Sequence, residues 1–202
     1  TAAALAVDDL GKRAAYQGKG GAVYVTAWPA PAAKARKLVA AKKATVTLPL
    51  IMSAAVPVGD HLYWFRRDPA DQAVGVYEAW SLTARKVVAT QRAAASYPLV
   101  RGALVPVPAR GSVVFVDDTG FERGTLWELG PAGATALAAD VRQALAVSTD
   151  GRFVLATRRK DPAAGNAVGN GERLVVIDTV AHAERVIDAG DDAAITAGAF
   201  VP

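Results

Sequence analysis

Short apolar runs recur along the chain, and each is followed by a polar turn. The runs end at four valines, which are Val7, Val58, Val107 and Val147. Short runs rich in branched residues and bounded by Gly, Asp, Pro or Ser are typical of strands rather than helices. The pattern therefore predicts four units, each of which opens with a short strand and a tight turn, at a period of roughly 50 residues.

Three more strands are predicted in each unit. The second strands cover 62–65, 113–116 and 153–156, the third 74–81, 125–129 and 172–178, and the fourth 86–91, 134–137 and 184–188. A second landmark near the end of the third strand repeats at about the same period, at Trp28, Trp80, Trp127 and Ile177. Four strands in roughly 50 residues is the size of one β-propeller blade.

The predicted fold class is therefore all-β: a β-propeller of about four four-stranded blades plus one extra strand, as part of a larger ring. The single segment 1–202 divides into blades at 3–48, 53–92, 102–139 and 143–189, and 193–202 forms the first strand of a further blade. Residues 30–43, rich in Ala and Lys, are expected to be a partly helical insertion before a strand at 44–48. Asp150 and Gly151 predict a two-residue hairpin turn.

Composition excludes several chemistries. The chain has no cysteine and two histidines, so thiolate nucleophiles, Cys-ligated zinc, iron–sulfur clusters and His-rich metal sites are ruled out. The formal net charge is +4, but the basic residues are dispersed, which argues against nucleic acid as a partner. The apolar stretches contain prolines and are too short for a membrane span.

The beginning of the chain bears on its origin. It starts at Thr1 without the charged and apolar regions of a signal peptide, so we expect it to be processed, cut or taken from a longer chain. The absence of cysteine is compatible with reducing and oxidising compartments alike. A periplasmic or extracellular location is favoured over a cytoplasmic one.

The last unit carries a family resemblance. STDGRFVLA at 148–156, RLVVIDT at 173–179 and ERVI at 184–187 resemble the repeat of YVTN and lactonase-like β-propellers. Thr149 stands where that family has proline. Residues 8–17 and 125–129 look more like the looser blades of TolB-type propellers. The resemblance implies blade geometry and specifies no chemistry.

Two histidines are the candidates for acid–base chemistry. His61, with Asp60 or Asp71 to orient it, could act as a general base, but the chain lacks a Gly-x-Ser-x-Gly motif, and a turn histidine is the favoured interpretation. His182 lies in a predicted solvated hairpin. No catalytic residue is assigned.

Two aspartate pairs are the candidates for a metal. Asp117–Asp118 and Asp191–Asp192 could offer oxygen ligands to calcium, yet they lack the alternating spacing of a calcium loop, so the turn interpretation is favoured. No metal site and no cofactor are predicted.

The loop 161–171 is the longest segment to which no strand is assigned. Loops of this length are either functional or mobile, and contact with a partner is the functional alternative. The candidate partner-binding residues are Arg158, Arg159, Lys160, Asn166 and Asn170.

The absence of a catalytic constellation, together with the repeats, predicts a non-catalytic β-propeller scaffold or protein-interaction module. Its partner is expected to be another protein or the remaining blades, and an oligomer is one way to complete the ring. Trp80 and Trp127 are expected to be largely buried between sheets. The alternative is a fragment of a lactonase-like or quinoprotein-like hydrolase or dehydrogenase, whose active site lies partly in missing blades.

Overall fold

Four antiparallel sheets account for the strands of the computed structural model. It describes residues 4–7, 13–17, 23–27, 36–39, 55–68, 70–71, 74–94, 104–117, 124–164, 171–188 and 198–200. Within these ranges, neighbouring strands of each sheet are consecutive in the chain, so every sheet is an up-and-down meander. No helix in this part of the chain is long and apolar enough to cross a membrane.

The strands have the following bounds. Sheet 1 contains β1 (Ala4–Val7), β2 (Arg13–Gln17), β3 (Val23–Ala27) and β4 (Arg36–Val39), and sheet 2 contains β5 (Val56–Val58), β6 (His61–Arg67), β7 (Val74–Ser81) and β8 (Lys86–Ala94). Sheet 3 contains β9 (Val105–Val107), β10 (Ser112–Val116), β11 (Gly124–Gly130) and β12 (Gly133–Val141), and sheet 4 contains β13 (Gln143–Val147), β14 (Phe153–Arg159), β15 (Glu172–Asp178) and β16 (Ala183–Asp188).

The sheets follow one another as blades around an axis. The first strands β1, β5, β9 and β13 lie beside one another in chain order, and each sheet packs one face against the next sheet. This arrangement is a β-propeller with four four-stranded blades, which confirms the predicted fold class. The chain thus forms part of a propeller.

Each sheet has two ends. At the hairpin end, turns join the first strand to the second and the third to the fourth; the connection from the second strand to the third lies at the loop end. Gly59, Gly111 and Gly151 have positive φ angles in the first turns of sheets 2, 3 and 4. Glycine adopts this conformation without the steric cost that a side chain would add.

The packing between the sheets changes along the chain. Ala15 of sheet 1 packs with Leu62 and Trp64 of sheet 2. An aromatic group fills the space between sheets 2 and 3, where the Tyr77 and Phe115 rings stack with their centroids 3.7 Å apart. Sheets 3 and 4 meet through aliphatic side chains, among them Val107, Val114, Leu126, Val154, Val175 and Ile177. Branched side chains suit strands that are buried on both faces.

Several predicted bounds change. The helical interpretation of 30–43 is wrong for Arg36–Val39, which forms β4 of sheet 1. The predicted strand at 44–48 and Trp28 lie outside the described residues. The connection between β13 and β14 covers 148–152 rather than two residues, with the amide of Ser148 donating to the carbonyl of Phe153 at 2.9 Å. Of the predicted further strand, residues 198–200 are described, and they carry no strand assignment.

Trp80 and Trp127 are less buried than predicted. Both are half-buried and pack at the margins of clusters between the sheets. Among the described residues, the largest fully buried side chains are instead those of Tyr63, Phe65 and Phe115. Trp127 stays near the loop end because its indole N–H donates to Asp117 Oδ2 at 2.8 Å.

Candidate functional site

The candidate partner-binding loop starts from a basic stretch at the loop end of sheet 4. Arg158 Nε donates to Glu184 Oε2 at 2.6 Å, and Arg158 Nη1 donates to the carbonyl of Ala139 on sheet 3. Arg158 therefore joins two sheets and is not free for a partner. Arg159 and Lys160 are half-buried at the end of the same strand.

A buried ion pair lies beneath this stretch. Glu172 is 1% exposed and pairs with Arg142, which connects sheets 3 and 4. In the register of β14 and β15, Glu172 stands opposite Arg159. A buried carboxylate requires such compensation, because an unpaired buried charge is strongly destabilising. The pair fixes the position from which the loop leaves the sheet.

One backbone hydrogen bond closes the base of the loop, and an Asp161 side chain orders its first turn. The amide of Lys160 donates to the carbonyl of Gly171 at 3.0 Å, and the amide of Ala163 donates to Asp161 Oδ1 at 2.8 Å. Asn166 and Asn170 lie outside the described residues. Of the five predicted site residues, Arg158 and Arg159 thus lie on β14, Lys160 directly follows it, and Arg158 joins sheets 3 and 4.

Sheet 4 has one face toward sheet 3 and one face turned away. We call the latter the open face; in the register of β14 and β15 it carries Phe153, Leu155, Leu174 and Val176. Gly198 lies against its inner part: a Cβ at Gly198 would be 2.6 Å from Leu155 Cδ2. The chain near residue 198 therefore covers the inner strands, whereas Phe153, Leu174 and Val176 remain half-buried.

The outer strand β16 is the most exposed strand of sheet 4. Residues 183–187 are all exposed, and Val186 and Ile187 retain 46% and 53% of their accessible surface. Val180, in the turn before β16, is 68% exposed. Exposed apolar side chains that cluster on one sheet mark a candidate interaction surface.

An arginine–carboxylate pair occupies the hairpin end of the open face. Arg152 Nε and Nη2 donate to Asp178 Oδ2 at 3.0 and 2.7 Å, and the guanidinium carbon lies 5.0 Å from the centroid of the Phe153 ring. The hydrogen bond from Arg152 holds the pKa of Asp178 well below its usual range, with the turn amides of Ala181 and Val180 acting in the same direction. Both charges are compensated within the sheet.

Sheet 3 has the same arrangement. Arg110 Nε donates to Glu128 Oε1 at 2.7 Å, and its Nη1 donates to the hydroxyl of Thr179 on sheet 4 at 3.3 Å. Ser112 Oγ also donates to Glu128 Oε1 at 2.5 Å. Arg110 thus ties sheet 3 to the sheet that follows it.

Similar contacts join the earlier sheets at the same end. Arg13 Nη2 donates to the carbonyl of Gly59, and the hydroxyl of Tyr63 donates to the carbonyl of Gly111 at 2.5 Å. Burial raises the pKa of Tyr63, and the charge of Glu128 adds to the effect, so its hydroxyl stays protonated and remains a donor. These interblade contacts join residues that are distant in sequence, and the repeat pattern did not reveal them.

Sheet 2 contains a further buried charge. Glu78 accepts from the Trp64 indole at 2.7 Å and from Arg66 Nη2 at 2.8 Å. Because the register places Trp64 opposite Glu78 on the face toward sheet 1, this group acts between blades. Glu78 is buried, and its oxygens are engaged by the buried Trp64 and the half-buried Arg66.

The candidates for acid–base chemistry, His61 with Asp60 and His182, make contacts within their own sheets or lie in an exposed turn. Asp60 Oδ2 accepts from Ser81 Oγ at 3.4 Å, which engages the carboxylate that was considered as the partner of His61. His61 itself lies 6.2 Å from the Tyr63 ring, measured between centroids. His182 is an exposed turn residue with a positive φ of 51°.

Both carboxylate oxygens of Asp117 accept hydrogen bonds within sheet 3. Its Oδ1 accepts from the amide of Thr125 at 2.6 Å, and its other oxygen accepts from the Trp127 indole. Asp118, Asp191 and Asp192 lie outside the described residues. In the part of the chain that the structure describes, no three His, Asp or Glu side chains are grouped as metal ligands.

Comparisons with known proteins agree with the fold. No protein-family model matches the sequence, and no curated protein matches it significantly. Solved structures do match: TolB from Acinetobacter baumannii is similar with a TM-score of 0.56 and 12% identity, over 93% of this chain and 43% of TolB. The acylaminoacyl peptidase of Pyrococcus horikoshii gives a TM-score of 0.59 and 12% identity, over 92% of this chain and 32% of the peptidase.

A third similar structure is the β-propeller domain of the Trilobed protease from Pyrococcus furiosus, with a TM-score of 0.57 and 10% identity over 88% of this chain and 54% of that domain. Identities this low show the fold alone. The chain is a partial β-propeller, and it spans less than half the length of TolB and of the peptidase. Propellers similar to it include TolB and parts of peptidases.

Proposed function

We propose that this chain is a non-catalytic scaffold, a propeller segment whose last sheet holds another polypeptide. The observation that carries the proposal is the exposure of sheet 4. Residues 183–187 of its outer strand are all exposed, whereas the outer strand of sheet 3 is partly buried and ends in the fully buried Val141. Exposed apolar side chains on this outer strand favour binding of another polypeptide.

The basic loop end of sheet 4 is the second part of the proposed surface. Arg159 and Lys160 stand at the rim, on a base held by the Arg142–Glu172 pair and by the hydrogen bond from Lys160 to Gly171. A rigid base supports a loop that binds a partner, because less order must be gained on binding. Asn166 and Asn170 complete the proposed binding loop.

A propeller enzyme is the second candidate. It is favoured by the similarity of the sheets to those of peptidases, whose whole chains are about three times as long as the matched part. In the described residues, however, the buried carboxylates Glu78 and Glu172 and the half-buried Glu128 bind arginines of their own sheets or connections. Carboxylates engaged in this way are poorly suited to general acid–base work.

The proposal also includes the compartment in which the chain is located. We place the chain in the periplasm or outside the cell as part of the proposal, and its composition without cysteine is compatible with that location as it is with a reducing compartment. Fractionation of cells that produce the chain tests it directly.

Site-specific photo-crosslinking tests the scaffold function. A photoreactive residue is placed at Lys160 or at Ile187, and a matched one at Thr90, which is exposed on the outer strand of sheet 2. We expect discrete crosslinked products from the two sheet 4 positions and none from Thr90. Equal yields from all three positions, or calcium-dependent hydrolysis of lactones or peptide esters by the purified chain, would contradict the proposal.

A further inference from the structure

The outer edge of sheet 4 differs from the outer edges of sheets 2 and 3. Within the described residues, β16 is the terminal strand of its sheet, and residues 183–187 are all exposed. The corresponding strands β8 and β12 each contain a buried residue, which is Ala89 in β8 and Val141 in β12. The exposure of β16 therefore belongs to the edge strand as a whole and not to a single side chain.

The exposed side chains of β16 lie on both faces of the sheet. In the register with β15, Arg185 stands opposite Val176 of the open face, whereas Val186 stands opposite Val175, which is buried against sheet 3. Residues that face each other across two strands share a face, and successive residues alternate between the faces. A sheet docked on one face would contact only one of these two rows, but a strand added at the edge would contact both.

The backbone of β16 is suited to pairing with a further strand. Residues 183–186 pair with the consecutive residues 175–178 of β15, and the register shift of this pair of strands lies beyond Val186. The segment 183–187 contains no proline and no glycine. An edge strand of this kind presents N–H and C=O groups outward, which is the pattern that an extended peptide uses when it adds to a sheet.

The exposed apolar side chains of the described residues are concentrated at this edge. Of the four large apolar side chains that are exposed there, Val180, Val186 and Ile187 lie in β16 or in the turn before it. The fourth, Val87 on β8, is the least exposed of them at 37%. Burial of the three side chains beside an added strand would favour its association.

The charges along β16 indicate which group an added strand should carry. Glu184 is bound by Arg158, so its charge is compensated inside sheet 4. Arg185 makes no hydrogen bond or ion pair with any residue that the structure describes. Opposite charges that face each other across two strands stabilise the pair, and like charges destabilise it. The group that complements this edge is therefore a carboxylate opposite Arg185.

We propose that β16 is a docking edge for strand addition. An extended apolar segment of another protein, with an acidic residue opposite Arg185, pairs with 183–187 as a fifth strand of sheet 4. This inference rests on the proposed scaffold function and states how the partner is held. Hydrogen bonds between the two backbones supply affinity, and the side chains opposite Arg185 and Val186 select the sequence of the partner.

Binding of synthetic peptides to the purified chain tests the inference. The probe is a fluorescent octapeptide of alternating valine and threonine in which glutamate replaces one central residue. A second peptide has lysine at that place, and a third is the glutamate peptide with N-methyl groups on all of its central amides. By anisotropy, the glutamate peptide should bind about fivefold more tightly than the lysine peptide. It should bind at least about tenfold more tightly than the methylated peptide, which lacks the donors for strand pairing.

Variants of the chain distinguish pairing at β16 from binding elsewhere. Arg185→Glu should reverse the preference, so that the lysine peptide binds about fivefold more tightly than the glutamate peptide. Lys86→Glu makes the same change of charge at the exposed start of β8, and this matched control should keep the wild-type preference. With saturating glutamate peptide, hydrogen exchange should slow at least about tenfold in β16 and stay unchanged in β8 and β12.

The inference would be overturned by equal binding of the glutamate and lysine peptides, by undiminished binding of the methylated peptide, or by the wild-type preference in Arg185→Glu. Failure of the glutamate peptide to bind at millimolar concentration would overturn it as well. A dimer by light scattering whose β16 amides are protected without peptide would assign the edge to a second copy and overturn it too. Discrete crosslinks from Lys160 and Ile187 in a chain that fails the peptide tests would leave the scaffold function standing without strand addition.

Discussion

Sheets 3 and 4 have the same four-stranded topology but different surroundings. In β10, Phe115 packs toward sheet 2 and Val114 toward sheet 4, and both side chains have no accessible surface. In β14, Val154 is equally buried against sheet 3; on the opposite face Leu155 is buried against Gly198, whereas Phe153 is half-buried. Within the described residues, sheet 3 is a core element with a sheet packed on each face, and sheet 4 has a sheet packed on one face and the half-buried Phe153, Leu174 and Val176 on the other.

The largest expected effect comes from breaking the covered side. Phe115→Ala should lower the free energy of unfolding by about 3–5 kcal/mol, because it removes a fully buried ring that stacks on Tyr77. Phe153→Ala removes the same atoms from the open face and should lower it by about 1–2 kcal/mol. Urea denaturation of both variants measures the difference, and equal losses would show that sheet 4 is covered as fully as sheet 3.

Ion pairs should show the same contrast between inner and outer sheets. Glu78→Ala leaves Trp64 and Arg66 without their shared acceptor in a buried position, and should lower the free energy of unfolding by about 2–4 kcal/mol. Glu184→Ala removes the partner of Arg158 from the exposed strand β16 and should lower it by about 1 kcal/mol or less. A Glu184→Ala variant that is less stable than the Glu78→Ala variant would contradict this comparison.

The sequence alone predicts those features of the fold that depend on interactions between residues close together in the chain. The bounds of β7 and β15 follow from local alternation and flanking turns, and the structure has the same bounds. β4 was missed because Arg36–Val39 lies in an Ala- and Lys-rich stretch without alternation. Local patterns are therefore sufficient to predict most strands of a blade and their repetition along the chain.

The contacts between blades could not be predicted from the sequence, and the reason is different. Arg110 reaches Thr179, and Gly198 approaches Leu155, across long separations that depend on how the sheets are stacked. No repeat period or motif in a single sequence indicates that these residues come into contact. The basic stretch before the loop was found from composition, but the ties of Arg158 to Glu184 and Ala139 required the sheet register.

Acid should destabilise the molecule through the Arg152–Asp178 pair at the hairpin end of sheet 4. Because the pKa of Asp178 is lowered in the folded state, its contribution to stability is present above the unfolded value of about 3.9 and is lost as the pH falls below it. Arg152→Ala removes the main cause of this shift. Its stability should therefore fall less steeply than that of the wild type between pH 5 and the acid limit, in denaturation curves recorded across that range.

Arg185→Ala is the control for the acid experiment, since Arg185 is exposed on the same sheet and is not among the groups that shift Asp178. Its pH dependence should match that of the wild type. The same steepness in all three proteins would contradict the role given to Arg152.

The smallest expected effect concerns the exposed turn before β16. His182 has a φ of 51°, a conformation that costs an L-residue more than it costs glycine. His182→Gly should raise the free energy of unfolding by about 0.5 kcal/mol, the turn relief being partly offset by the flexibility of glycine in the unfolded chain. Ala181→Gly, one position earlier, should lower it instead, and a stabilised Ala181→Gly variant would refute the explanation.

Hydrogen exchange at the two outer strands tests the central contrast most directly. β12 and β16 occupy the same position in sheets 3 and 4, so topology alone assigns their amides equal protection. If sheet 4 is a blade with one open side, the amides of β16 exchange at least about tenfold faster than those of β12 in the isolated chain, and they slow down when the open face is covered. Equal protection of β12 and β16 in a chain that is monomeric by light scattering would contradict the account.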